Sequence, residues 1–309
     1  MARAFLSAWC VGTAARPEGV LKVECVFERA AYLRLPRDGM LIVSSGGVRS
    51  PATVNVDPGR NLKPLFSADD ELLADGRRFS GGSVEIALEG EAYVGETPVL
   101  APSVDTPRLL MAASLLQALA VEGSLADPRG RFFGEYRRAM AGFVRSAGDP
   151  EGTVRVLLSQ LGKGQGFTPS FDDFAAGFLY AHNGLSGALG RGKLLLDPAE
   201  IFRRTTWVSG SLLSLAQEGK VDEEVGRLGR SLLSGSPDLL LALQDVAARG
   251  HSSGVDMAVG MLLATAATPG AALAVARRLG YDLSHSPQTR LSSELTSPTD
   301  APSLTQERT

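Results

Sequence analysis

Two adjacent carboxylates, Asp172 and Asp173, follow a run of alternating glycines in the stretch GKGQGFTPSFDDFAAG, residues 162–177. Gly162, Gly164 and Gly166 can each adopt a positive φ or let a ligand approach bare backbone, which no other residue does as cheaply. Thr168 and Pro169 read as N-cap and first helical position, which places both Asp in the first turn or so of a helix together with Ser170. A loop of this kind delivers free backbone N–H groups to one spot and favours an anion such as phosphate or carboxylate. Two ionised Asp beside it repel a bare phosphate. The pair therefore points to a Mg2+-bridged phosphate, with Asp172 and Asp173 as metal ligands, or to a substrate whose N–H groups the carboxylates accept.

A second stretch, GHSSGVDMAVGML at residues 250–262, repeats the design. Its Ser253, Asp256 and Gly260 have the spacing of Ser170, Asp173 and Gly177, giving S-x-x-D-x-x-x-G twice. Each copy places a Ser at a helix mouth, an acid one turn on that can reach back, and a glycine on the same face where something packs close. The structural alternative is two well-capped helices packed through their glycines. His251, next to Ser252 and Ser253, is the one histidine in a loop of the kind that carries chemistry, suited to proton transfer or to donating to a carbonyl. His182 falls in an apolar helical run and His285 in a polar terminus. Between the two stretches, residues 203–219 carry Arg203, Arg204, Thr205, Thr206, Ser209 and Ser211 around a helix start. Arg204, Thr206 and Ser209 suit recognition of carboxylate or phosphate, with a plain cap and an exposed arginine pair as the alternative.

The elements that must position these groups fall into two halves. Period-two, β-branched segments (VLKVECVFERAAYLRL, MLIVSS, ATVNV, SVEIALEG, EAYVGE) run to about Pro102 between Gly, Pro, Asp and Asn clusters. They predict an antiparallel β domain, a small barrel or sandwich, over residues 1–104. Arg77, Arg78, Gly81 and Gly82 mark either a loop reaching the site or a solvated hairpin end. Helical periodicity then runs to about Tyr281, which predicts a helical bundle over 105–283 carrying the glycine-rich loop. The class is α+β. Residues 284–309 are Ser, Thr, Pro and charge, and read as a disordered tail. Among 309 residues, 31 Lys and Arg against 34 Asp and Glu give a net charge of −3, with no basic run interleaved with aromatics. That balance argues against nucleic acid and for a small soluble metabolite. Cys10 and Cys25 are too few for a disulfide scaffold or zinc site and read as small buried hydrophobes. The first residues faintly mimic a secretory signal, but their apolar part is short and broken. They read instead as a first strand of a cytoplasmic protein, and no run is long enough to span a membrane.

GKGQGFTPSFDDFAAGFL resembles the G-x-G-x-G-x-T-P-S-G-D-D signature of the AllH family, which includes a subunit of the oxamate carbamoyltransferase of anaerobic allantoin breakdown. RTTWVSGSLLSLAQEG and GHSSGVDMAVGMLLA resemble the family's next two blocks, and VFERAAYLRL, the strand after SPATVNV and the segment before APS extend the likeness through the amino-terminal half. At one position the chain departs: Phe171 stands where the family signature has glycine. The resemblance implies carbamoyl transfer between phosphate and a ureido nitrogen, on carbamoyl phosphate or a ureido acid, with protein partner subunits. On that reading the loop 162–166 cradles phosphate, Asp172 and Asp173 bind the carbamoyl NH2 or Mg2+, Ser253 and His251 donate to the carbonyl, and Arg204 holds an acceptor carboxylate. Two alternatives remain at this level. One is a non-catalytic ligand-binding or assembly subunit. The other is a carboxylase or ligase on a small acid, which the absence of a G-x-x-x-x-G-K-[ST] loop disfavours.

Overall fold

The computed structural model describes residues 3–36, 39–95, 105–130, 132–188, 190–234, 236–266 and 268–283. The expected tail, 284–309, lies outside the described residues, as does the junction at 104. Among them the amino-terminal part forms β1 (Ala4–Ser7), β2 (Cys10–Gly12), β3 (Glu18–Val26), β4 (Ala30–Arg34), β5 (Met40–Ser44), β6 (Thr53–Asn55), β7 (Glu71–Asp75), β8 (Arg78–Gly81), β9 (Val84–Ala87) and β10 (Glu91–Tyr93). All join one sheet in the order β1-β9-β8-β7-β3-β4-β5-β6-β2-β10. β1 and β2 stand far apart in that order yet are separated in the chain only by Ala8 and Trp9. At those two residues the backbone changes partner, Ala8 N–H to Ala87 O at 2.9 Å and Trp9 N–H to Asn55 O at 2.9 Å. The sheet therefore curls, and alternate residues such as Leu21, Val23, Leu33, Leu41, Val54 and Phe79 fill its concave side as one apolar cluster.

The expectation of a purely antiparallel sheet is corrected here. β1 with β9, β5 with β6 and β2 with β10 pair in parallel. Alternating polarity reports which face is buried, and that period is the same whichever way the neighbouring strand runs. The stretch around Arg77 and Arg78 is the β7–β8 hairpin end, where Arg78 pairs with Asp75 at 3.1 Å and Glu85 at 3.5 Å.

The rest of the described chain forms α1 (Thr106–Ala118), α2 (Phe133–Ser146), α3 (Pro150–Gln160), α4 (Ser170–Ser186), α5 (Pro198–Arg204), α6 (Trp207–Gln217), α7 (Glu223–Ser234), α8 (Leu239–Ala247), α9 (Ser253–Thr265) and α10 (Pro269–Arg278). α4 and α9 are apolar on nearly every side and buried along almost their whole lengths. They meet through the repeated glycines. A Cβ on Gly177 would collide with the Met257 carbonyl, and one on Gly260 with the Phe174 carbonyl. Phe174 and Met257 hold equivalent places in the two copies, so the contact is reciprocal. Backbones approach here as only glycine permits.

The sheet meets the helices where α6 lies on the outer face of β4 and β5. Val208, Leu212 and Leu215 pack with Met40, Ile42, Ala52 and Tyr32. The segment after α6 also touches the sheet side, Val221 N–H donating to Gly95 O at 3.2 Å and Glu223 N–H to Arg49 O at 2.9 Å. Among the described residues no helix is long and apolar enough to cross a membrane. Cys10 is buried and Cys25 half-buried, and both are free thiols.

Candidate functional site

The reciprocal packing of α4 and α9 brings both helix mouths to one place. Each carboxylate reaches the serine of the other copy rather than its own. Asp173 has Ser253 beside it, and Asp256 has Ser170 and Ser252, while Asp256 Oδ2 completes no hydrogen bond of ordinary geometry. Thr168 Oγ1 donates to Asp173 Oδ2 at 2.9 Å and lies 3.1 Å from Ser253 Oγ. α4 begins at Ser170, one residue later than the sequence suggests, so Thr168 is free to serve Asp173 instead of capping the helix. Burial raises the Asp173 carboxyl from 3.8 to about 7, against the Ser253 and Thr168 hydroxyls that favour its charge, and the Asp172 charge adds to the rise.

Asp173 sits in the wall of a cavity of about 300 Å3 between the sheet and the helices. Tyr32, Ile42 and Thr53 line it from the sheet, a single row across β4, β5 and β6 by their register. Val208, Leu212, Leu215 and Ala216 line it from α6, and Ser253, Gly254 and Met257 from α9. Arg249, a third exposed, also faces it. Its guanidinium pairs with Asp222 and, at 3.4 Å, with Glu224. A second hollow of about 500 Å3 adjoins the first, lined by Gly123, Gln165, Gly166, Phe167, His251 and Ser252 among others. Ala30, Tyr32, Thr168, Gly250 and Ser253 line both. The Thr168–Ser253 hydroxyl pair thus stands on the shared wall, with Asp173 behind it.

Other residues expected at the site lie elsewhere. Asp172 serves different partners from Asp173. Its Oδ1 accepts the Gly162 N–H at 2.8 Å and its Oδ2 accepts the Thr205 hydroxyl, so it ties the glycine loop to the α5–α6 junction. Burial raises its pKa, and the Gly162 N–H and the nearby hydroxyls of Thr205 and Ser209 oppose the rise. Ser209 Oγ itself completes no hydrogen bond of ordinary geometry. The oxygens of the paired Asp serve different partners, Gly162 and Thr205 for Asp172 and Thr168 for Asp173. Among the described residues no cluster of three metal-ligating acids, His or Cys forms.

Gly162 and Gly164 face protein: a Cβ on the first would strike the Arg204 carbonyl and one on the second would come within 2.7 Å of Ser170 N. Gly166 lines the second hollow. Arg204 pairs with Glu200 at 2.9 Å and reaches Leu158 O at 3.3 Å, away from both cavities. Thr206 caps α6 by accepting the Ser209 N–H at 3.2 Å. His251 Nε2 lies 3.2 Å from Glu122 O on the exposed side of the second hollow. Asp256 is fully buried, accepts the Leu125 N–H at 2.6 Å, and has its pKa raised well above 3.8 by burial, with the Asp173 charge adding to it. Phe171 turns away from both cavities into an aromatic cluster, edge-on to Tyr136 at 5.4 Å and to Phe174 at 6.1 Å. A bulky side chain at that position therefore costs the site no space.

Sequence reasoning passed over Arg249, Asp222 and Tyr32. Arg249 immediately precedes the second glycine stretch, which was the available signal. Tyr32 lies on the side of β4 away from Leu33, so strand alternation marked its face without showing that helices cover it.

In comparisons with known proteins, residues 160–265 match the family model described as oxamate carbamoyltransferase subunit AllH. The match spans α4 to α9 with the loop before them, so it includes Asp173, Arg249 and Ser253 and excludes the sheet wall of the cavity. No curated protein and no solved structure matches the chain.

Proposed function

We propose that the chain contributes the carbamoyl-handling site of a carbamoyltransferase and works with partner subunits, as the subunit name of the matching family suggests. The observation that carries this reading is the placement of Asp173. It is nearly out of water, poised to titrate at about 7, and backed by two hydroxyls on the wall between two adjoining cavities. A transfer reaction needs adjoining sites that share lining residues, because donor and acceptor must come into van der Waals contact there.

In this reading the acid bearing the ureido or amide nitrogen occupies the 300 Å3 cavity and phosphate occupies the adjoining hollow. The carbamoyl carbon lies between them, at Thr168 and Ser253. Ionised Asp173 accepts a hydrogen bond from the carbamoyl NH2, and in its acid form it supplies the proton the leaving nitrogen requires. A pKa near neutrality makes both forms available at working pH. Ser253, with the start of α9 behind it, donates to the carbonyl oxygen as charge develops there. Arg249, already compensated by Asp222 and Glu224, orients the acid's carboxylate through its remaining N–H groups.

The test is carbamoyl transfer by the assembled complex, followed as release or consumption of carbamoyl phosphate. Asp173→Asn is expected to lower kcat by about 100-fold or more with unchanged far-UV CD. An active Asp173→Asn complex would remove the carboxyl from the mechanism.

A further inference from the structure

The 300 Å3 cavity is larger and more apolar than a two-carbon acid such as oxamate requires, and this observation deepens the functional reading on which it rests. Val208, Leu212, Leu215 and Ala216 recur at the helical period on one face of α6 and line the cavity over about two turns, roughly 12 Å. Ile42 and Val48 face them from the sheet side, and Met257 closes the wall from α9. Leu212, Leu215 and Ile42 are only half-buried although they lie between two layers, so their apolar surface is open to an occupant.

The direction of the stripe is fixed. α6 starts beside the start of α4, where Thr205 donates to Asp172, and ends beside the end of α4, where Asn183 Nδ2 donates to Gln217 O at 2.9 Å. The two helices therefore run side by side in the same sense. The stripe leads away from Asp173, Thr168 and Ser253 at the α4 mouth, and Lys220, Asp222 and the Arg249 paired with it line the cavity past the end of α6.

We infer that the acid taken by this cavity is a ureido or amide acid with an apolar substituent of several carbons, which lies along α6 against β5. Its polar head occupies the Asp173 end. A two-carbon acid would leave the stripe facing water. Sites for small molecules combine apolar walls with placed polar groups, and here Thr53, Lys220, Asp222 and Arg249 line the cavity beside the Asp173 cluster. Val208, Leu212, Leu215 and Ala216 lie inside the stretch that matches the family model, and Ile42 and Val48 lie outside it.

The experiment is calorimetric titration of the full-length chain with oxamate, N-carbamoylglycine, N-carbamoylalanine, N-carbamoylvaline and N-carbamoylleucine. Each added methylene is expected to tighten binding about three- to fourfold. The leucine derivative should then exceed the glycine derivative by well over tenfold. Leu212→Phe, which fills the stripe, should flatten the series while the glycine derivative still binds. Thr168→Val should weaken every member. A series that is flat or falls with length in the wild type, yet is lost in Thr168→Val, overturns the apolar substituent and leaves the carbamoyl site standing. No binding by any member overturns both.

Discussion

Asp173→Asn separates a carboxyl kept for chemistry from one kept for structure. Only 4% of Asp173 is exposed, and its carboxyl titrates at about 7 in the native chain against 3.8 in the unfolded one. Its native pKa is raised, so the native state holds the proton more tightly and the wild-type chain loses stability as pH rises from about 3.8 to about 7. Above that the loss is complete, on the order of 4 kcal/mol. Asn keeps the shape, accepts from Thr168 and carries no titrating group. The variant should match the wild type near pH 4 and be more stable at pH 8 by several kcal/mol. For a chain of this length that is a melting temperature higher by about 5–10 °C. The assay is thermal unfolding of both proteins across pH 4–9. A gap independent of pH, or a variant less stable at pH 8, would refute the argument by showing that Asp173 is ionised and structural. A gain in stability with loss of activity is the usual mark of a group held in an unfavourable state for function.

Four further outcomes follow from the same geometry. Gly177→Ala should cost about 1–3 kcal/mol or more in urea unfolding, because the new methyl meets the Met257 carbonyl with no room to turn. Thr205→Val removes the donor to buried Asp172 and should cost about 1–3 kcal/mol while leaving ligand affinity within about twofold; a collapse of affinity would return Asp172 to the site. Arg249→Gln leaves Asp222 and Glu224 without their cation, and should both destabilise by about 3 kcal/mol and abolish binding of carboxylate ligands in calorimetry. His251→Ala, on the exposed rim, should change stability by less than about 0.5 kcal/mol in the same unfolding assay.

Much of the site was legible because glycine and helix-mouth chemistry are local. The repeated S-x-x-D-x-x-x-G pattern located α4 and α9 and their close contact. It did not show that the acids would cross over, since reaching the partner's serine depends on how two distant helices meet. Asp172 and Asp173 were indistinguishable as neighbours in sequence. Being about 100° apart around a helix, they face different surroundings, the glycine loop for one and the cavity for the other. One strand and one helix were hidden for local reasons. In β7 the exposed Leu73 between buried Leu72 and Ala74 blurs the alternation. In α7 the interior Gly226 and Gly229 weaken helical propensity, although Gly229 is where the Tyr180 ring packs. The helix start expected among residues 203–219 is there: Thr205 is extended and Thr206 caps α6. The sheet wall of the cavity was beyond the sequence altogether, because nothing in a strand records which helix will cover it.

The most direct test of the account is a crystal structure of the chain soaked with N-carbamoylleucine. The account predicts the carbamoyl group within hydrogen-bond reach of Asp173, Thr168 and Ser253, with the side chain along Leu212 and Leu215. A ligand bound at Asp172 and the Arg204 side of the loop, or lying wholly outside the cavity between α6 and β5, would contradict it.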